Sequence, residues 1–210
     1  MHLPIRIEVT LFTKDKSTSS PDGIPMTSKI FIGLDRDGVI NTDLGHYCTH
    51  PKDFEPIPGS LESIANLRHQ GYGIVIITNQ GGIAKGQMSI EEVESVNNYM
   101  LDLLGKAGCT DIDGIYFSET SEKNDPYAKP NAGMFKIAQK EIAGLRWSNG
   151  FYVGDKMTDL KAAMKVGARP VLVRTGYGEQ TEQDLNKYTY KNIKRRSYVF
   201  DSLQDFAENL

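Results

Sequence analysis

The order of its apolar segments constrains this chain most: short β-branched runs alternate with stretches carrying a helical stripe. Residues 30–34 (IFIGL), 73–77 (GIVII), 114–117 (GIYF), 150–153 (GFYV) and 170–173 (PVLV) are apolar throughout. Strands buried on both faces read this way. Between them lie helical patterns. Leu61, Ile64, Ala65 and Leu67 form one stripe over 60–69. Ser89 and Glu92 make a capping box ahead of Val93, Val96, Met100, Leu103 and Leu104. Met134, Ile137 and Ala138 mark a third helix, and Leu160, Ala163 and Met164 a fourth that closes at Gly167. Residues 197–200 and 202–209 read as a last strand and helix. Strand–helix alternation implies right-handed βαβ units, hence an α/β three-layer sandwich around a central parallel sheet.

A chain of 210 residues suffices for one such domain with small additions. Residues 5–12 alternate apolar and polar, the period of a half-buried strand, and 14–29 are rich in Ser, Pro and charge. The expected division is therefore an extension over 1–29 and a domain over 30–210. A net charge of −3 offers no general attraction to nucleic acid or anionic membrane. The apolar runs are far too short to span a bilayer. Cys48 and Cys109 make no disulfide framework, and the N-terminus carries no apolar signal core, so a cytoplasmic location is expected.

In open parallel sheets, ligands bind beyond the carboxyl ends of the strands. The first domain strand runs into Asp35-Arg36-Asp37-Gly38, the next into Thr78-Asn79-Gln80-Gly81-Gly82, and the fourth into Gly154-Asp155-Lys156; Lys129-Pro130 follows the third. Topology would gather three carboxylates, a hydroxyl, an ammonium and glycine turns on one rim. Clustered carboxylates repel unless a cation joins them, and all-oxygen donors favour Mg²⁺. An Asp carboxylate can attack phosphorus, a second can serve as acid and base, and Lys129 with Thr78 can steady the phosphoryl oxygens. Singly, each piece reads as turn or cap chemistry; their order at successive strand ends points to phosphoryl transfer.

The segments LDRDGVIN (34–41), ITNQGGIAKG (77–86), KPNAGM (129–134) and VGDKMTDLKAA (153–163) resemble the four ordered motifs of haloacid-dehalogenase-type phosphatases. More narrowly they resemble the small group without a large cap domain that acts on heptose bisphosphates and histidinol phosphate. The likeness runs over 30–178, through VLVRTGYGE, and reaches the tail YVFDSLQDF. It implies Asp35 as nucleophile and metal ligand. Asp37 becomes the acid/base, with its backbone carbonyl on Mg²⁺. Thr78 and Lys129 hold the phosphoryl group, and Asp155 completes the metal site. Asp43, His46, Asn79, Gln80 and Lys156 are placed near substrate, and Asp159 orients Lys129 or Lys156.

Three departures bear on specificity. Many members carry a zinc loop of Cys and His before Lys-Pro; here 118–128 is SETSEKNDPYA, so no zinc is expected. Ala128 stands where an Arg commonly meets a second anionic group, and Gly81 where Ser is usual. The substrate implied is a small phosphorylated metabolite, first D-glycero-D-manno-heptose 1,7-bisphosphate, then histidinol phosphate. A nucleic-acid 3′-phosphatase is the third reading. For that, KYTYKNIKRRSY (187–198) mixes Lys, Arg and Tyr, but a solvated surface explains it as well. No membrane partner is expected, and the assembly expected is a monomer or weak homodimer. A scaffold protein that merely inherited the fold is the non-enzyme alternative, which Asp35 and Asp37 together oppose.

Overall fold

The computed structural model describes residues 5–7, 29–109 and 111–210. Its strands are β1 (Ile5–Ile7), β2 (Phe31–Leu34), β3 (Gly73–Asn79), β4 (Gly114–Ser118), β5 (Phe151–Gly154), β6 (Arg169–Val173) and β7 (Tyr198–Phe200). Its helices are α1 (Ser60–His69), α2 (Ile90–Lys106), α3 (Gly133–Glu141), α4 (Met157–Val166), α5 (Gly178–Leu185), α6 (Lys191–Lys194) and α7 (Leu203–Glu208). One sheet has the order β1-β4-β3-β2-β5-β6-β7. Strands β2 to β7 are parallel, and β1 adds antiparallel to β4 at the edge. Of the strand expected over 5–12, residues 8–12 lie outside the described residues.

The two-residue period of each strand divides its side chains between two cores. Ile32, Leu34, Ile74, Ile76, Ile115 and Phe117 face Ile64, Val93, Met100 and Phe206 from α1, α2 and α7. Phe31, Val75, Ile77, Tyr116 and Tyr152 face Met134, Phe135, Ala162 and Ala163 from α3 and α4, with Trp147. Hence every residue of β2 is buried. At about 1.5–3 kcal/mol for each fully buried large apolar side chain, these two layers drive the fold. The expected capping box is present: Ser89 Oγ accepts from Glu92 N at 3.1 Å, and Glu92 Oε2 accepts from Ser89 N at 2.7 Å.

One expected strand start moves, and two helices were not expected. The strand expected over 150–153 begins one residue later, because Gly150 closes the 3₁₀ turn Trp147–Asn149 and a Cβ there would stand 2.3 Å from the Phe31 carbonyl oxygen. Helices α5 and α6 went unseen in the sequence. In α5 only Gly178, Thr181 and Leu185 are buried, and α6 buries nothing, so neither shows an apolar stripe.

Candidate active site

Strand ends deliver the polar residues to one cavity of about 480 Å³. Asp35 follows β2, and its amide donates to the Val153 carbonyl of β5 at 2.9 Å, which fixes the turn. Its Oδ1 accepts from the Arg36 amide at 2.8 Å and pairs with Lys129 Nζ at 2.9 Å. Among the described residues no hydrogen bond reaches its Oδ2. Burial raises the Asp35 carboxyl above its ordinary range, against the pull of Lys129.

Lys129 is 2 % exposed and bridges three groups. It reaches Asp35, Asp159 Oδ1 at 2.7 Å and the Tyr152 hydroxyl at 2.9 Å, which itself donates to the Ile77 carbonyl at 2.6 Å. Burial would discharge the ammonium, but Asp159 and Asp35 outweigh it and raise the pKa. Burial, reinforced by the nearby carboxylates, holds Tyr152 well above its ordinary range, so it remains a phenol. Asn79 clamps the Lys129 backbone in both directions: Oδ1 accepts from Lys129 N at 2.9 Å and Nδ2 donates to Lys129 O at 3.0 Å.

Asp155 is fully buried after β5. Its Oδ2 accepts from Tyr177 N at 2.8 Å, while Oδ1 has no hydrogen-bond partner among the described residues. Gly38 (φ +87°) and Gly176 (φ +58°) wall this carboxylate so closely that a Cβ on either would lie 2.3 Å from Oδ2. Burial lifts Asp155 to about 8; Lys156 opposes this, and Asp159 and Asp35 add to it. Oxygens of Asp35, Asp155 and Asp159 lie within 4.8 Å of one another. Three carboxylates around Lys129, with Lys156 4.0 Å from Asp155 Oδ2 and one buried oxygen unpartnered, fit an oxygen-loving divalent cation. Asp159 is already committed, Oδ1 to Lys129 and Oδ2 to the Lys156 amide at 2.9 Å, which leaves Asp35 and Asp155 as the side chains open to a metal.

Asp37 stands apart from that cluster. Its Oδ1 accepts from Arg36 Nε (3.2 Å) and Nη2 (3.1 Å) and from Asn41 Nδ2 (3.0 Å); its Oδ2 accepts from Arg36 Nη2 (3.1 Å) and Gln80 Nε2 (3.0 Å). Burial would raise its carboxyl, but Arg36 and the two amides hold it below the ordinary range.

Residues 126–206 match the HAD-hydrolase-like family model. The chain is 35% identical over 178 residues to D-glycero-β-D-manno-heptose-1,7-bisphosphate 7-phosphatase of Pseudomonas putida, covering 84% of this chain and 97% of that one. The chain belongs to the haloacid-dehalogenase-like phosphatases. The Chlorobaculum tepidum D-glycero-D-manno-heptose-1,7-bisphosphate 7-phosphatase is 34% identical over 74% of this chain and 84% of its own. Among solved structures, D,D-heptose 1,7-bisphosphate phosphatase from B. bronchiseptica, complexed with magnesium and phosphate, superposes with a TM-score of 0.76 at 30% identity, covering 86% and 97% of the two chains.

In this haloacid-dehalogenase-like phosphatase Asp35, Asp37, Asp43, His46, Thr78, Asn79, Gln80, Lys129 and Lys156 all line the cavity. Asp155 lies buried behind them. Lys156 Nζ pairs with Asp43 Oδ2 at 2.9 Å and lies 4.6 Å from the Tyr177 ring centre. Gln80 and Asn79, placed near substrate by resemblance, spend their amides on protein groups. Arg36, Tyr152 and Asn97 carry site contacts that sequence reading missed. Arg36 sat inside the quoted motif, whereas Tyr152 and Asn97 looked like ordinary strand and helix residues. Ala128 is fully buried away from the cavity. Where a zinc loop would be cross-linked, Asp125 Oδ1 accepts from the amides of Tyr127 and Ala128, and Asn131 Nδ2 donates to the Lys123 and Asp125 carbonyls. The side chain missing at Gly81 has its space filled by Ser121, whose Oγ lies 2.4 Å from where a Cβ would stand.

Proposed function

We propose that this chain is a Mg²⁺-dependent phosphomonoesterase that removes the 7-phosphate of D-glycero-D-manno-heptose 1,7-bisphosphate. The observation that carries the reading is the pairing of Asp35 with Lys129 at the cavity, with Asp155, one of whose oxygens is orphaned, buried behind them. The names of the Pseudomonas and Chlorobaculum relatives support the substrate. Asp35, Asp155 and the Asp37 carbonyl would hold Mg²⁺, which when bound offsets the carboxylate charge and that of the phosphate. Zinc has no part in the reading, since 118–128 contains no Cys or His.

Asp35 Oδ2, free of protein donors, attacks phosphorus. The bond to the ester oxygen breaks with its electron pair on that oxygen, which takes a proton from Asp37 in its protonated form, the form that Arg36 and the two amides disfavour. Water then attacks the phosphorus of the aspartyl phosphate and gives a proton back to Asp37. Inorganic phosphate leaves and the Asp35 carboxylate returns. Lys129 and the Thr78 hydroxyl hold the phosphoryl oxygens through both steps. Lys156, His46, Tyr47 and Tyr177 line the outer cavity, where the sugar and its second phosphate would lie.

A phosphate-release screen tests this: heptose bisphosphate, heptose monophosphate, histidinol phosphate and a 3′-phosphorylated oligonucleotide, each with Mg²⁺ and with EDTA. The expected result is Mg²⁺-dependent release with the highest kcat/KM on heptose bisphosphate. Preference for the oligonucleotide would move the substrate to nucleic acid, and no release from any ester would reject the enzyme.

A further inference from the structure

Arg36 is fully buried, yet it does not line the cavity and cannot touch substrate. A buried guanidinium is retained at a cost in desolvation, so its partners show what it is for. Its fork lies side-on to both oxygens of Asp37. Nη2 also donates to Gln80 Oε1 at 3.2 Å, and Gln80 Nε2 donates in turn to Asp37 Oδ2 and, at 3.0 Å, to Thr78 Oγ1. The far end is fixed by Asn97, whose Oδ1 accepts from Nη1 at 3.0 Å.

Asn97 supplies an independent observation. It is the one polar side chain among the buried residues of α2, and its Nδ2 has no hydrogen-bond partner among the described residues. Leaving a buried amide half-satisfied costs stability, so the position is occupied for its acceptor alone. That acceptor serves Arg36.

We propose that Arg36, seated by Asn97, is a positioning residue for leaving-group protonation: it aims Asp37, the group that protonates the departing oxygen. The proposal rests on the phosphatase reading above. Removing the fork or its anchor leaves Asp37 present but misaimed, and small misplacements of a proton donor cost large factors in rate. Only substrates whose leaving group needs a proton should feel this.

The test compares kcat/KM on two esters. This quantity covers steps only through departure of the leaving group, so later hydrolysis of the aspartyl phosphate does not enter. p-Nitrophenolate departs without a proton; the alkoxide from the heptose 7-phosphate, or from glycerol 3-phosphate in its place, does not. In Arg36→Lys, a point charge replaces the fork. In Asn97→Ala, the acceptor goes while the cation stays. Both should lower kcat/KM on the alkyl ester about 10- to 100-fold further than on the aryl ester. Asn97→Asp, which keeps the acceptor, should restore the wild-type ratio. If Arg36→Lys does not fold, the two Asn97 variants decide. Equal losses on both esters, no loss on either, or an Asn97→Asp ratio like that of Asn97→Ala would overturn the proposal. A wild type inactive on both esters would reject the phosphatase reading and the proposal with it.

Discussion

The two oxygens of Asp35 have unequal surroundings, and that asymmetry suits a nucleophile. Oδ1 is held by Lys129 and an amide, so the carboxylate is fixed while Oδ2 keeps its lone pairs. Asp35→Asn keeps the shape and loses the carboxylate proposed as nucleophile; turnover should fall by about 10⁴-fold or more. The melting temperature should move by no more than about 4 °C, and activity near wild type in purified Asn variant would place the nucleophile elsewhere. Gly176 tests the wall of the proposed metal site. A Cβ there meets Asp155 at 2.3 Å and the backbone is left-handed, so Gly176→Ala should cost about 1–3 kcal/mol in thermal unfolding and weaken Mg²⁺ activation. An Ala variant with wild-type melting and wild-type Mg²⁺ dependence would remove Gly176 from that wall. Asp35, Thr78, Lys129 and Asp155 were legible in the sequence because reactive groups at strand ends leave a pattern. Tyr152 was not, since a buried strand tyrosine reads as core until its hydroxyl is seen between Lys129 and Ile77.

At the scale of elements, what was legible followed the apolar period. Strands β2 to β6 and helices α1 to α4 each show enough buried positions to declare themselves. Residues 174–196 do not, because α5 and α6 pack through a handful of contacts and are otherwise polar. Yet that segment supplies Gly176 and the Tyr177 amide to Asp155, so part of the site arrived from a region the pattern left blank. The longest helix is also the best capped. Its N-cap tests whether α2 contributes to stability apart from catalysis. Ser89→Ala removes one side of the capping box and should cost about 1 kcal/mol, or some 2–4 °C in melting temperature. Activity per folded molecule should stay unchanged, because Ser89 lies outside the cavity. A fall in kcat without a fall in melting temperature would contradict that separation.

The whole molecule folds around a charge imbalance that it does not resolve by itself. Asp35, Asp155 and Asp159 converge; Lys129 pairs with Asp35 and Asp159, while Lys156 stands 4.0 Å from Asp155 Oδ2. Asp155 is nonetheless lifted to about 8, burial being the chief cause. The sign of its effect on stability follows from the unfolded value near 3.8. A carboxyl raised in the fold holds its proton more tightly there than in the open chain. Its contribution is therefore fully present below the unfolded pKa and is lost as pH rises toward about 8. Metal-free protein should lose melting temperature between pH 5 and pH 8. A bound divalent cation replaces the missing proton, so Mg²⁺ should restore what the pH rise removes. At a free concentration one hundred times its Kd, Mg²⁺ adds about 2.7 kcal/mol, or roughly 5–10 °C of melting temperature for a chain of this size. That gain should shrink at pH 5, where a proton competes for Asp155. Asp155→Asn should abolish the gain at both pH values and raise the metal-free melting temperature at pH 8, since it removes a buried charge that Lys156, 4.0 Å away, offsets only in part. Thermal melts of wild type and Asp155→Asn at pH 5 and pH 8, with Mg²⁺ and with EDTA, decide the matter. A Mg²⁺ shift that persists in the Asn variant would place the metal elsewhere.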